Sequence, residues 1–258
     1  MTPGGFYAWL GRAENAHATQ DRVLTREITR RFHQHKARYG SPRIYQLLTD
    51  AGWAVSRRRI ARLMRAAGLR AKAVQGYRAK AKMHQRYARH PNRLWETTVT
   101  APTQVWVGDI TFLKVGTTWR YLAIVMDQHS RRTLGWTLTA RGTAAVTCGV
   151  LTRAARGRPT AGVIFHSDRG SEYMGAVFCA HVAQFGMLQG ANVSGPGDNA
   201  HAESFVHSLK AELTRGVTFR TASDLRRELA RYLRYYNTIR LHSGLSYRSP
   251  LACERQAA

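Results

Sequence analysis

The sequence predicts a mixed α/β domain on a five-stranded sheet flanked by helices, preceded by a small all-helical module. Three patterns carry this prediction. Three short stretches with helical periodicity and no strand alternation lie before residue 70. Between residues 101 and 193, five apolar segments of strand character are interrupted by helical ones, in the order three strands, helix, strand, helix, strand. Two amphipathic helices follow. Consecutive strands favour an antiparallel meander and strands separated by helices favour parallel pairing, so the whole reads as a mixed sheet.

Residues 1–20, rich in glycine and small side chains, read as a peripheral tail, and 21–70 as the helical module. Residues 21–36 put Leu24, Ile28 and Phe32 on one helix face. Tyr39-Gly40-Ser41-Pro42 is a turn, with Ser41 expected to cap the second helix and Pro42 to take its first position. Ile44, Leu47, Leu48 and Ala51 recur at i, i+3, i+4 and i+7, and Gly52 ends that helix. Ser56 is expected to cap a third helix with Ile60, Leu63, Met64 and Ala67 inward and Arg58, Arg62 and Arg65 outward, closed by Gly68. A tight turn before an arginine-faced third helix suggests a helix-turn-helix, with Arg57 beside that face; a solvated basic face on a small bundle is the plainer alternative.

Residues 71–100 read as a basic linker and 101–258 as the second domain. In 104–113 the apolar side chains alternate to both faces: Val105, Val107 and Leu113 one way, Trp106, Ile110 and Phe112 the other. That is expected of a central strand covered on both sides, and Asp109 sits in its middle. Residues 119–126 and 133–139 give two more strands, and 143–155 a helix. The fourth strand runs up to His166-Ser167-Asp168 and stops at Arg169-Gly170. Residues 176–185 form a helix and 188–193 the fifth strand. A Ser-Gly-Pro-Gly loop follows, and Asp198 or Asn199 is expected to cap a helix reaching about Thr214. The last helix, 223–237, turns Leu225, Leu229, Tyr232, Leu233 and Tyr236 inward.

Forty Lys and Arg against fifteen Asp and Glu leave a net charge of +25. Such a charge points to a polyanionic partner, nucleic acid first and an anionic membrane surface second. No stretch is long and apolar enough to cross a bilayer, and residues 1–10 lack the basic start and apolar core of a secretory signal, so a cytoplasmic location is expected. Cys148, Cys179 and Cys253 are scattered and make neither a disulfide framework nor a Cys-x-x-Cys pair. Between Asp50 and Glu96 there is no acidic residue, while basic side chains recur from Arg57 to Arg93. A merely solvated face mixes signs, so this run favours double-stranded DNA, held by phosphate contacts that give affinity and little sequence choice.

A charged Asp inside an apolar strand is costly unless it is paired or holds a metal. Asp109 is therefore either the partner of one of many arginines or a metal ligand. Asp168 carries the same two readings and a third, as a turn former at a strand end. A side chain in that position reaches the crevice where open α/β sheets do their chemistry. Glu203 is the third candidate. Ala202, Phe205, Val206, Leu209 and Leu213 make the core stripe of its helix, and Glu203, His207 and Lys210 make a second stripe beside it. Glu203 can thus lean over the sheet; the alternative is a surface ladder worth about 0.2–0.5 kcal/mol per pair. Oxygen ligands with no Cys/His cluster select Mg²⁺ or Mn²⁺ over zinc. Two such ions, about 3.5–4 Å apart, serve an in-line phosphoryl displacement, and Lys210, with His207 more weakly, would hold a DNA phosphate beside them. Asp127, ending the second strand, could replace one ligand but is expected to shape the 128–131 turn, and Glu172 to be exposed. His166-x-x-Arg169 with Tyr232, Tyr235 and Tyr236 downstream matches the His-x-x-Arg of tyrosine recombinases, but a mixed sheet argues against their mostly helical core. His33-x-His35 has no nearby Cys to complete a zinc site.

Trp106-Val107-Gly108-Asp109-Ile110-Thr111, His166-Ser167-Asp168-Arg169-Gly170-Ser171 and Asp198-Asn199-Ala200-His201-Ala202-Glu203-Ser204-Phe205 resemble the integrase core of bacterial insertion-sequence transposases. The match is to the OrfB product of the insertion-sequence-three family, related to retroviral integrase. Phe6-Tyr7-Ala8-Trp9-Leu10 resembles the start of OrfB, Tyr39 to Leu69 its helix-turn-helix, and Tyr235-Tyr236-Asn237 through Arg240, His242-Ser243, Tyr247 and Ser249-Pro250 its closing block. Each motif is short; together, in this order, they are specific and cover nearly the whole chain. The resemblance implies a ribonuclease-H-like fold and a catalytic, metal-holding triad at Asp109, Asp168 and Glu203, with the family's basic residue on Lys210. It further implies Mg²⁺-dependent strand cleavage and strand transfer at terminal inverted repeats, a homo-oligomer on DNA, and an upstream OrfA fusion partner. Two departures stand out. Gly108 replaces the usual Thr, and the spacing from Asp168 to Glu203 is one residue short, the deletion falling in the 195–197 loop.

Overall fold

The computed structural model describes residues 2–3, 16–72, 91–192 and 199–257. The expected 194–197 loop and most of the basic linker lie outside them. The chain divides into two compact units, Met1–Ala73 and Val74–Ala258.

The first unit is three helices: α1 (Ala16–Gln34), α2 (Ser41–Asp50) and α3 (Arg57–Ala66). Their stripes close on one core of Leu24, Ile28, Phe32, Tyr39, Ile44, Leu48, Ile60, Leu63 and Met64. Ala51 and Ala67, expected inside, are exposed. The Ser56 hydroxyl caps α3 by accepting from the Arg59 amide at 3.2 Å. Ser41 does not cap α2. It is already helical, and Gly40 holds the cap position because Pro42 needs the first turn. His35 is buried and stacked on Tyr39 with ring centroids 4.0 Å apart, so it is a core side chain. Arg57, Arg58, Arg62 and Arg65 are exposed on α3, as the periodicity predicts. Asp21 ties α1 to α3 through Arg59 at 2.7 Å and Arg62 at 2.5 Å. Those two guanidiniums hold the Asp21 carboxyl below its ordinary value.

The second unit is built on β1 (Val105–Val115), β2 (Thr118–Asp127), β3 (Thr133–Thr139), β4 (Ile164–Ser167) and β5 (Leu188–Ala191), ordered β3-β2-β1-β4-β5. β1, β2 and β3 form an antiparallel meander, and β4 and β5 add in parallel beside β1. This is the mixed sheet of the ribonuclease-H-like fold. Helices α4 (Ala144–Ala155), α5 (Ser171–Met174) and α6 (Ala176–Gln184) cover one face, packed on Trp106, Ala123, Val125 and Phe165. Helices α7 (Ala200–Leu209) and α8 (Ala222–Thr238) cover the other, packed on Val105, Val107, Leu122 and Ile124. The five apolar residues expected inside α8 are all buried. A 3₁₀ turn (Ser243–Leu245) and α9 (Pro250–Gln256) close the chain.

One expectation fails here and another is refined. Phe112 is 43% exposed rather than covered. β4 pairs only with residues Val105 to Val107, so the apolar layer on that side ends before Phe112, which rests edge-on against Tyr121. The helix expected to reach Thr214 does so, but it is α-helical only to Leu209 and Lys210–Thr214 is wound as a π-helical turn. No helix among the described residues is long and apolar enough to cross a membrane.

Candidate active site

The register of β1 on β4 pairs Val105 with Ile164, Trp106 with Phe165 and Val107 with His166. Carried on by two residues, that register would set Asp109 level with Asp168, whose charge acts on it. Strand alternation gives Asp109 the same face as Val105 and Val107, the face under α7 and α8. Asp168 stands one residue past the end of β4 and is exposed; its Oδ1 accepts the Gly170 amide at 3.0 Å. Asp109 is half-buried and its Oδ1 accepts the Ile110 amide at 2.8 Å.

Burial pushes the Asp109 carboxyl up to about 7. The charges of Asp168 and Glu203 push the same way, while the Ile110 amide and the Lys210 ammonium oppose them. All three other candidate groups thus act on Asp109. Burial lowers the Lys210 ammonium while Asp109 pulls it back up, and burial raises the Glu203 carboxyl. Tyr173 is buried beneath, feeling the charges of Asp109, Asp168 and Glu172.

Local sequence explains this convergence. Phe165 lies so close under Gly108 that a Cβ there would meet its ring at 2.6 Å; only glycine lets β1 pass over a fully buried phenylalanine. Asn199 begins α7, but its side chain does not cap the helix as expected. It donates instead to the Gly108 carbonyl at 3.1 Å, fastening the start of α7 to the residue before Asp109. Asp198 lies outside the described residues. Ala202, Phe205 and Leu209 then bury one stripe of α7, leaving Glu203 exposed and His207 and Lys210 half-buried on the next stripe.

The structure therefore brings Asp109 and Asp168 side by side and holds Glu203 and Lys210 on the covering helix. It does not close the acids into a chelating group: among the described residues, no three His, Cys, Asp or Glu side chains stand close enough to hold one metal ion. The donor set nevertheless fits a hard divalent cation. Two carboxylates repel each other here, the Asp109 one raised by burial first and by that repulsion second, and oxygen donors are what Mg²⁺ and Mn²⁺ take.

The other readings sort themselves by geometry. Asp127 is fully buried and spent on its turn, accepting the Thr103 amide at 2.6 Å and the Ser130 amide at 2.7 Å. Glu172 is half-buried rather than exposed. A Cβ on Gly170 would stand 2.9 Å from its Oε2 and 3.0 Å from Asp168 Oδ1, so the two carboxylates flank that glycine. His166 is buried with Nε2 2.6 Å from Asn192 Oδ1, and Tyr232 is sealed with its hydroxyl donating to Glu212 at 3.1 Å. Neither has the access that a tyrosine nucleophile and its catalytic histidine need.

The integrase core domain family matches residues 99–194, a second integrase core domain family 191–250, and an HTH-like domain 19–77. The transposase for insertion sequence element IS904 of Lactococcus lactis subsp. lactis (strain IL1403) is 34% identical over 253 residues, 95% of this chain and 99% of that protein. The chain belongs to the insertion-sequence transposases. Transposase InsF for insertion sequence IS3A of Escherichia coli (strain K12) is 33% identical over 262 residues, covering 95% of this chain and 88% of the relative. Among solved structures, the HTLV-2 integrase catalytic core domain in complex with magnesium is similar with a TM-score of 0.46 at 14% identity, over 60% of this chain and 97% of that one.

Sequence reasoning missed one group in this transposase chain. Glu212 and Arg240, at 2% and 3% exposure, form a buried ion pair at 2.7 Å, joined by Tyr232 and by Ser208. The pair locks the π-turn that carries Lys210 to the end of α8. The signal was present: residue 212 is one turn on from Leu209 and adjoins Leu213, so its acid falls on the apolar stripe of that helix.

Proposed function

We propose that this chain is a DNA transposase that cuts DNA at the terminal inverted repeats of its element and joins the freed ends to target DNA. The observation that carries the reading is the proximity of Asp109, two residues past the last β1–β4 pair, to Asp168, one residue past the end of β4, with the Asp109 carboxyl raised to about 7 by burial and by its acidic neighbours. Asp109, Asp168 and Glu203 would hold the divalent ions, Mg²⁺ or Mn²⁺, which when bound supply charge neutralisation and activation of the attacking oxygen.

The protein's own contribution is position. Exposed Asp168 and Glu203 stand where a phosphodiester can reach them, and Lys210, partly desolvated beside Asp109, would hold its phosphate. Water displaces the 3′ oxygen at the element end, leaving a 3′ hydroxyl; that hydroxyl displaces an oxygen of the target phosphodiester, and one bond is exchanged for another. Residues 21–70 bind the duplex through Arg57, Arg58, Arg62 and Arg65, residues 71–100 link, and 101–258 carry the chemistry. The working form is a homo-oligomer on DNA, with an upstream partner fused by frameshift.

A second reading, a DNA-binding protein without catalysis, draws on Glu203 standing exposed and outside any three-residue chelating group among the described residues. Cleavage of a labelled end duplex with Mg²⁺ separates the two. Wild type should release a 3′ hydroxyl and join it to a target, and Asp168→Asn should do neither while binding the duplex as before. Equal cleavage by both proteins, or none by either, rejects the proposal.

A further inference from the structure

A pocket of about 500 Å³ opens between the turn after β2, the first turn of α7 and the 3₁₀ turn before α9. None of the carboxylates discussed above lines it. Arg131, Arg248, His129 and His201 do, and no acidic side chain among the described residues joins them.

Arg131 is the focus. Its backbone is left-handed, with φ 62°, and Ser246 across the pocket is left-handed too, with φ 51°. Non-glycine residues keep that conformation only where the surroundings impose it, and they cluster at binding sites. Among the described residues the Arg131 guanidinium makes no ion pair, and one terminal nitrogen is buried without a hydrogen-bond partner. The Asp127 charge favours the guanidinium, but its oxygens accept from Thr103 and Ser130 and make no ion pair with Arg131. Burial accordingly pushes the Arg131 guanidinium below its usual range. Among the described residues, Arg248 donates to the neutral side-chain amide of Gln256 and makes no ion pair. Two arginines thus line one concavity with nothing acidic in its lining, a charge pattern that an anion completes. Guanidinium forks and adjacent hydroxyls are the donor set that phosphate oxygens take.

We propose that this pocket is a phosphate-binding subsite, with the Arg131 and Arg248 guanidiniums as its principal donors and the His129 ring and the Ser246 hydroxyl as further ones. The phosphate comes either from a DNA strand or from a free phosphate or mononucleotide. Only the DNA branch rests on the transposase reading.

The test is calorimetric titration of the full chain with inorganic phosphate, ionic strength being held constant with chloride, alongside duplex binding measured across a range of salt. The variants are Arg248→Gln and Arg131→Asn, the latter because asparagine accepts a left-handed backbone; thermal unfolding checks that each is folded. Wild type should bind phosphate saturably, and each variant at least tenfold more weakly. If the source is DNA, the slope of log K against log salt also falls by about one in each variant. If it is free phosphate, the titration result stands and the slope does not change. No saturable phosphate binding by wild type, or binding unchanged in both folded variants, overturns the proposal. Phosphate binding without any duplex binding would defeat the transposase reading alone.

Discussion

The side-chain amide of Asn199 donates to the main-chain carbonyl of Gly108 across 3.1 Å, a bond between residues 91 apart in sequence. It fixes where α7 begins relative to β1, and so where Glu203 and Lys210 stand relative to Asp109. Asn199→Ala should leave a buried carbonyl unpaired, costing about 1–3 kcal/mol. Asn199→Asp keeps the shape but turns an acceptor toward an acceptor, and should cost more. In both, metal-dependent cleavage should fall at least tenfold with duplex affinity little changed, read by thermal melts, cleavage rates and binding on the same preparations.

Asp109 sets a pH dependence whose sign is the reverse of a salt-bridged acid. Its folded value, about 7, lies above the ordinary 3.8, so the folded state binds the more protons between those limits. Stability is therefore lost as pH rises from about 4 through 7, and at pH 8 the penalty is fully present. It amounts to about 1–4 kcal/mol, the upper figure being the whole shift converted at 1.36 kcal/mol per unit. Asp109→Asn removes it. In a chelator at pH 8 the variant should melt above wild type, and at pH 4 the two should converge, while cleavage is abolished. Added Mg²⁺ should raise the wild-type melting temperature and not that of the variant.

Much of this was legible in the residues because burial leaves a period. The α8 stripe, the α3 arginine face and the chain order of strands and helices all follow from where apolar side chains recur; Asp109 announces itself as a charge inside an apolar strand and Asp168 as one at a strand's end. What the sequence hid depends on contacts between distant segments. Phe112 has the pattern of a covered strand residue, yet the layer that would cover it stops short. The Asn199 amide looks like a helix cap until the Gly108 carbonyl takes it. Arg62 looks free on its face, although Asp21 holds one of its nitrogens.

Gly108 and Phe165 should prove energetically coupled. A Cβ at residue 108 would sit 2.6 Å from the Phe165 ring, which is fully buried and cannot swing away. Gly108→Ala should destabilise by about 1–3 kcal/mol through overpacking, and Gly108→Thr by more. Phe165→Leu frees the space the new methyl needs, so the double variant Gly108→Ala/Phe165→Leu should be more stable than the sum of its parts by about 0.5–3 kcal/mol. A double-mutant cycle in urea measures this; strict additivity would mean that β1 shifts as a unit and the ring does not decide residue 108.

The buried pair of Glu212 and Arg240 makes the sharpest distinction between holding the site and binding DNA. Arg240 Nε lies 3.1 Å from both Glu212 oxygens, and a second nitrogen lies 2.7 Å from one of them, inside the apolar layer of α7 and α8. Arg240→Met strands a carboxylate there and should cost about 3–5 kcal/mol, whereas Glu212→Leu/Arg240→Met removes both charges and should recover most of it. Arg240→Lys keeps a charge without the two-pronged geometry and should fall between. The pair holds the π-turn that begins with Lys210, so even the refolded double variant should cleave poorly if that turn relaxes toward regular helix. The three-helix unit has its own core and an arginine face that does not involve this pair. Duplex binding should therefore persist in every one of these variants at temperatures where strand cleavage is gone, with retention on a labelled duplex and release of the cut strand read from the same gel.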